Sequence, residues 1–431
     1  MPSLLKPDRR GRIRRAALLL AALAGAAACD GQRGAMLAPE ERLSFLVLAS
    51  ERPVWLSIAE SFRASRGVSV DLVEGPNATD LRESQYTAAL LAGDDSFDLV
   101  YMDVTWTSKF ASAGWLVPLD DLFPDGDLGN LLPSAVAAGR HRGRLYRVPV
   151  RTDVGLLYYR RDLLEAAGLA PPRSFTELLA AARALQSPPE LWGFLWQGSQ
   201  YEGLVCVFLE VLHGFGGFWV DEKTREVGLD RPPALAALEF LRRCRSVERI
   251  SPPGVTSLKE DESRRLFQDG RAVFLRNWPY VFRLAQAPDS PVRGKIGVEL
   301  MVHAPGSSGG AALGGWGFGI SRFSRRPRLA AEFVRHAVSL GSQRLLCRDT
   351  GYAPALAAAY RDPELLAANP LLAEIRRIHE NAVARPAIPQ YALASDILQR
   401  HLSACLAGLA PPDRALAEAS RETRLLLETK R

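Results

Sequence analysis

The 431-residue chain is poor in the residues that carry metal and redox chemistry, with five cysteines and six histidines. Cys206, Cys244, Cys347 and Cys405 are scattered and form no C-x-x-C pair, which argues against a zinc site. Each sits among apolar or helical neighbours, as a buried free thiol does, and spacing alone assigns no disulfide. No H-E-x-x-H occurs: His379-Glu380 lacks a second histidine at helical spacing, which excludes a zinc protease. The glycines from Gly309 to Gly319 lack the Lys-Ser/Thr of a phosphate-binding loop and the G-x-G-x-x-G spacing of a dinucleotide site. Beyond the leader no stretch has eighteen uninterrupted apolar residues, there is no internal repeat, and low complexity is confined to the Ala-rich leader.

Charge of one sign is also scarce once it is located. The net charge is +6, but six of the 54 basic residues and one of the 48 acidic residues precede residue 30, leaving 48 against 47. The body of the protein therefore calls for no nucleic-acid partner. With 47% hydrophobic and 24% charged residues, that body is globular, of a length for several domains or one large two-lobed unit. The leader has the layout of a secretory signal: basic residues up to Arg15, an apolar stretch from Ala16 to Ala28 too short to span a bilayer, then small residues. Cys29 directly after them resembles a bacterial lipobox, with Ala26 where Leu is usual. The expectation is acylation of Cys29, a signal over 1–29 and a tether over 30–42.

Regular structure starts beyond the tether. Leu43–Ala49, Val68–Leu72 and Phe97–Met102 read as strands separated by helices over Val54–Ser65 and Leu81–Ala92, the pattern of a parallel α/β sheet. Tyr146–Val150 and Gly155–Tyr159 are β-rich and flank Asp153. Ser174-Phe-Thr-Glu177 is a capping box that opens a helix. Further helices are expected over Pro233–Ser246, Arg328–Leu340 and Leu393–Gly408, and a strand over Gly294–Val302. Gly306-Ser-Ser308-Gly-Gly310 fits the pattern of a hydrolase nucleophile elbow, yet Pro305 precedes it and glycines follow, so a loop is expected.

The aromatic residues point to another chemistry. Trp106, Trp115, Trp192, Trp196, Trp278, Tyr280 and Trp316 lie near turns beside Gly, Pro, Asp or Asn. A sugar offers an apolar C–H face that packs on such rings and hydroxyls that need Asp, Glu, Arg or Asn. Taken singly, each Trp is more often a core residue. In Asn277-Trp-Pro-Tyr280, Pro279 stops regular structure and presents two aromatics beside a polar group. Gly314-Gly315-Trp316 lets backbone approach a ligand closely, and Asp103 ends a strand, where open α/β sheets bind ligands.

On these residues the chain is similar to the trehalose/maltose-binding branch of the extracellular solute-binding proteins. FDLVYMDVTWTSKFASAGWLVPL (97–119), TDVGLLYYRRDLL (152–164), WGFLWQGSQYEG (192–203), GRAVFLRNWPY (270–280), ALGGWGFGIS (312–321) and RPAIPQYALASDILQR (385–400) carry the resemblance in order. It implies an α/β protein of the type II periplasmic-binding fold, each lobe a mostly parallel sheet flanked by helices. One lobe takes 43–147 and 297–350, the other 148–296 and 351–431. The resemblance implies no catalysis and no cofactor or metal. It implies an extracytoplasmic, lipid-anchored monomer that hands a disaccharide to the permease subunits of an ABC importer. The ligand set carried over is Glu51, Thr79, Arg82, Asp103, Asp153, Trp278, Tyr280, Gly314, Gly315, Trp316 and Arg385. Two positions depart from the family. Arg151 stands where an aromatic residue is common, which would favour a more polar or anionic ligand, and His213 replaces a usual aromatic or polar residue. Trp278 and Trp316 are expected to stand in a cleft, outside the core. Competing readings are a glycosidase built on Asp103 and Asp153, and a sugar sensor that does not transport.

Overall fold

The computed structural model describes residues 41–76 and 79–428. The chain divides after Glu41 into two units, and the architecture here is that of the second. Cys29 and residues 30–40 of the tether lie outside the described residues.

Strand β1 (Arg42–Val47) leads into helix α1 (Arg52–Arg66), which has Pro53 in its first turn and is closed by Gly67 at φ 73°. Strand β2 (Ser69–Glu74) returns parallel to β1, and helix α2 (Thr79–Leu91) leads to β3 (Leu99–Asp103). The phenol of Tyr86 on α2 accepts from Leu46 NH on β1 and Tyr101 NH on β3, at 2.8 and 3.2 Å. Strands β4 (Val148–Arg151) and β5 (Leu156–Arg160) follow, then helix α3 (Phe175–Leu185), whose Ser174/Glu177 capping box is formed. Next come β6 (Trp192–Leu195), α4 (Glu202–Gly214), β7 (Ala272–Asn277), β8 (Ile296–Glu299) and β9 (Trp316–Ile320). The C-terminal part adds α5 (Leu372–His379), α6 (Tyr391–Leu406) and α7 (Pro412–Glu428).

The sheets are mixed where mostly parallel ones were expected. Strand β9 lies between β3 and β4 and runs antiparallel to both, and the second sheet, in order β8-β5-β7-β6, is parallel only between β7 and β6. A strand's apolar pattern sets its buried faces, not its neighbour. Here the neighbour of β3 is some 200 residues further along.

Two hydrophobic cores result. The first packs Phe45, Trp55, Tyr101 and Phe318 ring against ring, with Phe45–Phe318 and Trp55–Tyr101 centroids 5.0 and 5.2 Å apart. The second gathers Phe175, Trp196, Phe208, Trp219 and the inner faces of α6 and α7. The second sheet serves both: Leu156, Tyr158, Leu195 and Leu275 belong to the first core, Leu157, Phe194 and Phe274 to the second. The four cysteines of the described residues are buried free thiols.

Candidate functional site

The ends of three neighbouring strands stand side by side. Trp316, first residue of β9, pairs with Asp103 at the end of β3 and with Arg151 at the end of β4. Cross-strand partners carry their side chains on one face of a sheet, so an acid, an indole and a guanidinium form a row. The row depends on close backbone. Gly315 has φ 127°, and a Cβ there would lie 2.6 Å from the Arg151 carbonyl oxygen, a position only glycine fits. At Gly314 a Cβ would lie 3.1 Å from the Trp278 ring and 3.4 Å from Asp153 Cβ, so this glycine makes room for an indole that arrives from the end of β7.

Trp316 is 6% exposed and belongs to the first core, contrary to its expected place outside it. The rings of Tyr101 and Trp106 lie 5.2 and 5.3 Å away, and the guanidinium of Arg82 on α2 sits 4.1 Å from its centroid. Trp278 is half-buried: its Nε1 donates to Glu260 at 3.5 Å, and Arg276 lies 4.2 Å over its ring. Arg276 is in turn fixed by the fully buried Glu210, at 2.5 and 2.8 Å. Tyr280 sets its ring 6.4 Å from that of Tyr352.

Arg151 is held from four directions. Nη1 donates to Asp153 at 2.5 Å, Nη2 to Glu51 at 3.3 Å and Nε to the Tyr101 hydroxyl at 3.2 Å, while its guanidinium carbon lies 3.6 Å from the centre of the Tyr352 ring. The Tyr352 hydroxyl donates to the same Glu51 oxygen at 2.9 Å, and Trp55 Nε1 to the other at 3.3 Å. Burial works against the charge on Arg151, but Asp153, the tyrosines and Glu51 outweigh it and hold the pKa well above the ordinary value. Burial raises the pKa of Asp153, with Arg151 opposing. Two carboxylates therefore flank this guanidinium, so Arg151 is not a bare arginine. Thr152, between Arg151 and Asp153, is bonded through Oγ1 to His379 Nε2 at 2.7 Å.

Arg385 forms a second such centre. Its Nη2 donates to Asp103 at 3.1 Å and its Nη1 to Glu202 at 2.9 Å. Asp103 also accepts from the amide and hydroxyl of Thr105, at 3.0 and 2.9 Å. Among the described residues, three polar atoms of this cluster are buried without a partner: Asp153 Oδ1, Arg82 Nε and Arg385 Nε.

Of the residues expected to bind ligand, the structure brings Glu51, Arg82, Asp103, Arg151, Asp153, Trp278, Gly314, Gly315, Trp316 and Arg385 together, with Tyr280 alongside through Tyr352. Thr79 is half-buried at the first turn of α2, and none of the bonds above involves it. His213 lies elsewhere, at the end of α4, with Nε2 3.4 Å from Ser308 Oγ. The loop bearing Ser308 runs into the strand Ala311–Ala312 and not into a helix, so no nucleophile elbow is formed. Among the other tryptophans, Trp106 backs Trp316, Trp196 lies in the second core, and Trp115 and Trp192 pack against the first.

A family model described as bacterial extracellular solute-binding protein matches residues 49–344. The chain belongs to that family. A probable ABC transporter-binding protein of Deinococcus radiodurans is 33% identical over 335 residues, 76% of this chain and 79% of its own length. The maltotriose-binding protein of Pyrococcus abyssi is 26% identical over 335 residues, 73% of this chain and 66% of its own. Among solved structures, the maltose-bound MalE3 of T. maritima matches with a TM-score of 0.83 and 35% identity, over 89% of this chain and 99% of that one. This solute-binding protein thus has the two-lobed type II fold, and its family is extracellular. Its relatives are binding proteins.

Sequence reasoning missed Tyr101, Tyr352, Glu202 and His379. Glu202 carries a signal, as the only acid in the stretch 192–203. Tyr352 carries none, because its partner Glu51 is 301 residues away.

Proposed function

We propose that this solute-binding protein captures a neutral disaccharide of the trehalose or maltose type for an ABC importer, without catalysis. In this reading the two lobes close on the sugar and present it to the permease. The observation that carries it is the trio of buried atoms without a partner, Asp153 Oδ1, Arg82 Nε and Arg385 Nε, on residues clustered around Trp316. A buried polar atom normally has a hydrogen bond. An acceptor and two donors, with the half-buried indole of Trp278 nearby, are what a hydroxyl-rich, flat-faced molecule completes. Both candidate carboxylates of a glycosidase are engaged, Asp103 by Arg385 and Asp153 by Arg151, which favours binding over acid–base work. The maltose and maltotriose named for the relatives support the sugar class.

A thermal-unfolding panel of trehalose, maltose, sucrose, glucose and mannitol tests the reading. A ligand that binds only the folded state raises its stability, by about 2.7 kcal/mol at a hundredfold excess over Kd. At least one disaccharide should raise Tm more than glucose or mannitol. No shift with any sugar, or release of glucose during incubation, overturns the proposal.

A further inference from the structure

The bonds around Arg385 extend beyond the candidate ligand residues. Glu202, at the start of α4, uses both oxygens. Oε1 accepts from Arg385 Nη1 at 2.9 Å and from the Tyr391 hydroxyl, and Oε2 accepts from Ser395 Oγ at 2.5 Å. Tyr391, in the second core, and the buried Ser395 lie one turn apart on α6. The other side of Arg385 reaches Asp103, at the end of β3 in the strand row. Two residues on, Ala387 repeats the arrangement. Its NH donates to Glu222 at 2.7 Å, and its carbonyl accepts from Ser108 at 2.9 Å, just beyond β3. Residues 385–387 are thus fastened at one side to Glu202 and Glu222 and at the other to Asp103 and Ser108. Each Nη atom has a partner, and the buried Nε is the guanidinium nitrogen of Arg385 that has none among the described residues.

We infer that Glu202 is a positioning residue: anchored by Tyr391 and Ser395, it holds the Arg385 guanidinium across to Asp103 and aims Nε at a ligand hydroxyl. The inference rests on the reading of Arg385 as a ligand residue. A guanidinium fork fixed at two ends loses little freedom when its third donor is used. Without Glu202, Arg385 keeps its charge and its bond to Asp103 but not its orientation. Glu202→Gln retains an acceptor for Arg385 and a donor for Ser395, so geometry survives without the charge.

The test is calorimetric titration of the full chain with maltose and with trehalose, using Glu202→Ala, Glu202→Gln, Arg385→Ala and the Glu202→Ala/Arg385→Ala double variant. Unfolding without sugar is recorded for each. Glu202→Ala should weaken binding about tenfold or more, the loss expected for a hydrogen bond to a charged group, and Glu202→Gln should recover part of it. In the Arg385→Ala background, Glu202→Ala should add nothing, since the effect passes through Arg385. Unchanged binding by Arg385→Ala, or no binding of either sugar by the unaltered chain, overturns the ligand reading and the inference with it. If Arg385→Ala is weak while Glu202→Gln and Glu202→Ala bind normally, or if the two losses add, the positioning role is wrong and the ligand reading stands. Should Glu202→Ala fail to fold, Glu202→Gln alone and combined with Arg385→Ala decides the same question.

Discussion

At the scale of single residues, the two indoles that look alike in sequence sit in different surroundings. Trp316 is 6% exposed, ringed by Tyr101, Trp106 and Arg82, and is part of the first core. Replacing it by alanine opens a cavity among rings, and Trp316→Ala should cost about 3–5 kcal/mol of folding stability. Trp278 is half-buried, with Glu260 at its indole nitrogen and Arg276 over one face of its ring. Trp278→Ala should leave the fold intact and cost about 1–3 kcal/mol of sugar affinity through the lost ring face. Urea unfolding separates the two variants in stability, and titration with maltose or trehalose measures the affinity. Full sugar affinity in a folded Trp278→Ala protein would remove that indole from the site. The contrast was not legible in the sequence, where both residues stand beside Gly or Pro. What differs is which rings the fold brings to each.

At the scale of elements, the junction between β4 and β5 is held from outside by the last residue of α5. His379 accepts or donates at Thr152 Oγ1 (2.7 Å) through Nε2 and at Ser134 Oγ (3.3 Å) through Nδ1, and is itself buried. Burial, helped by the nearby charge of Arg376, lowers its pKa from 6.5 to about 4. The sign follows. Between pH 4 and 6.5 the unfolded chain binds this proton and the folded chain does not, so the stability tied to His379 is complete above pH 6.5 and is lost as pH falls towards 4. The full difference is about 3 kcal/mol for a shift of this size. Unfolding free energies measured at pH 7 and pH 4.5 should therefore differ more in the unaltered chain than in His379→Gln. Equal differences would mean that His379 does not titrate in this way. Sequence reading met His379 only as half of a missing zinc motif, because its partner Thr152 is 227 residues distant.

At the scale of the whole molecule, five of the six excess positive charges lie before residue 30, in the segment we propose to be an export signal. Cys29 follows the small residues of that leader and lies outside the described residues, so its acylation is tested in cells. Cys29→Ser should move the protein from the membrane fraction to the soluble fraction, or leave it unprocessed. Acyl chains hold a protein by burying methylene groups, and stable attachment takes more than one chain. Membrane association and processing that both survive the substitution would show that the anchor lies elsewhere.

The features legible along the chain are local. The α/β class, the elements β1 to β3 with their helices, the capping box of α3, the glycines before Trp316 and the strand-end Asp103 are properties of short stretches, set by periodicity, caps and backbone freedom. The ligand set came from resemblance, and the structure gathers most of it into one cluster. Long-range packing places β9 between β3 and β4, makes Trp316 a core residue and sets Glu51 and Asp153 against Arg151. The same holds for Glu202, which lies 183 residues before the Arg385 it grips. These outcomes depend on which distant segments share a low-dielectric interior. There a charge must find a partner, and the identity of that partner is set by packing, not by neighbours along the chain.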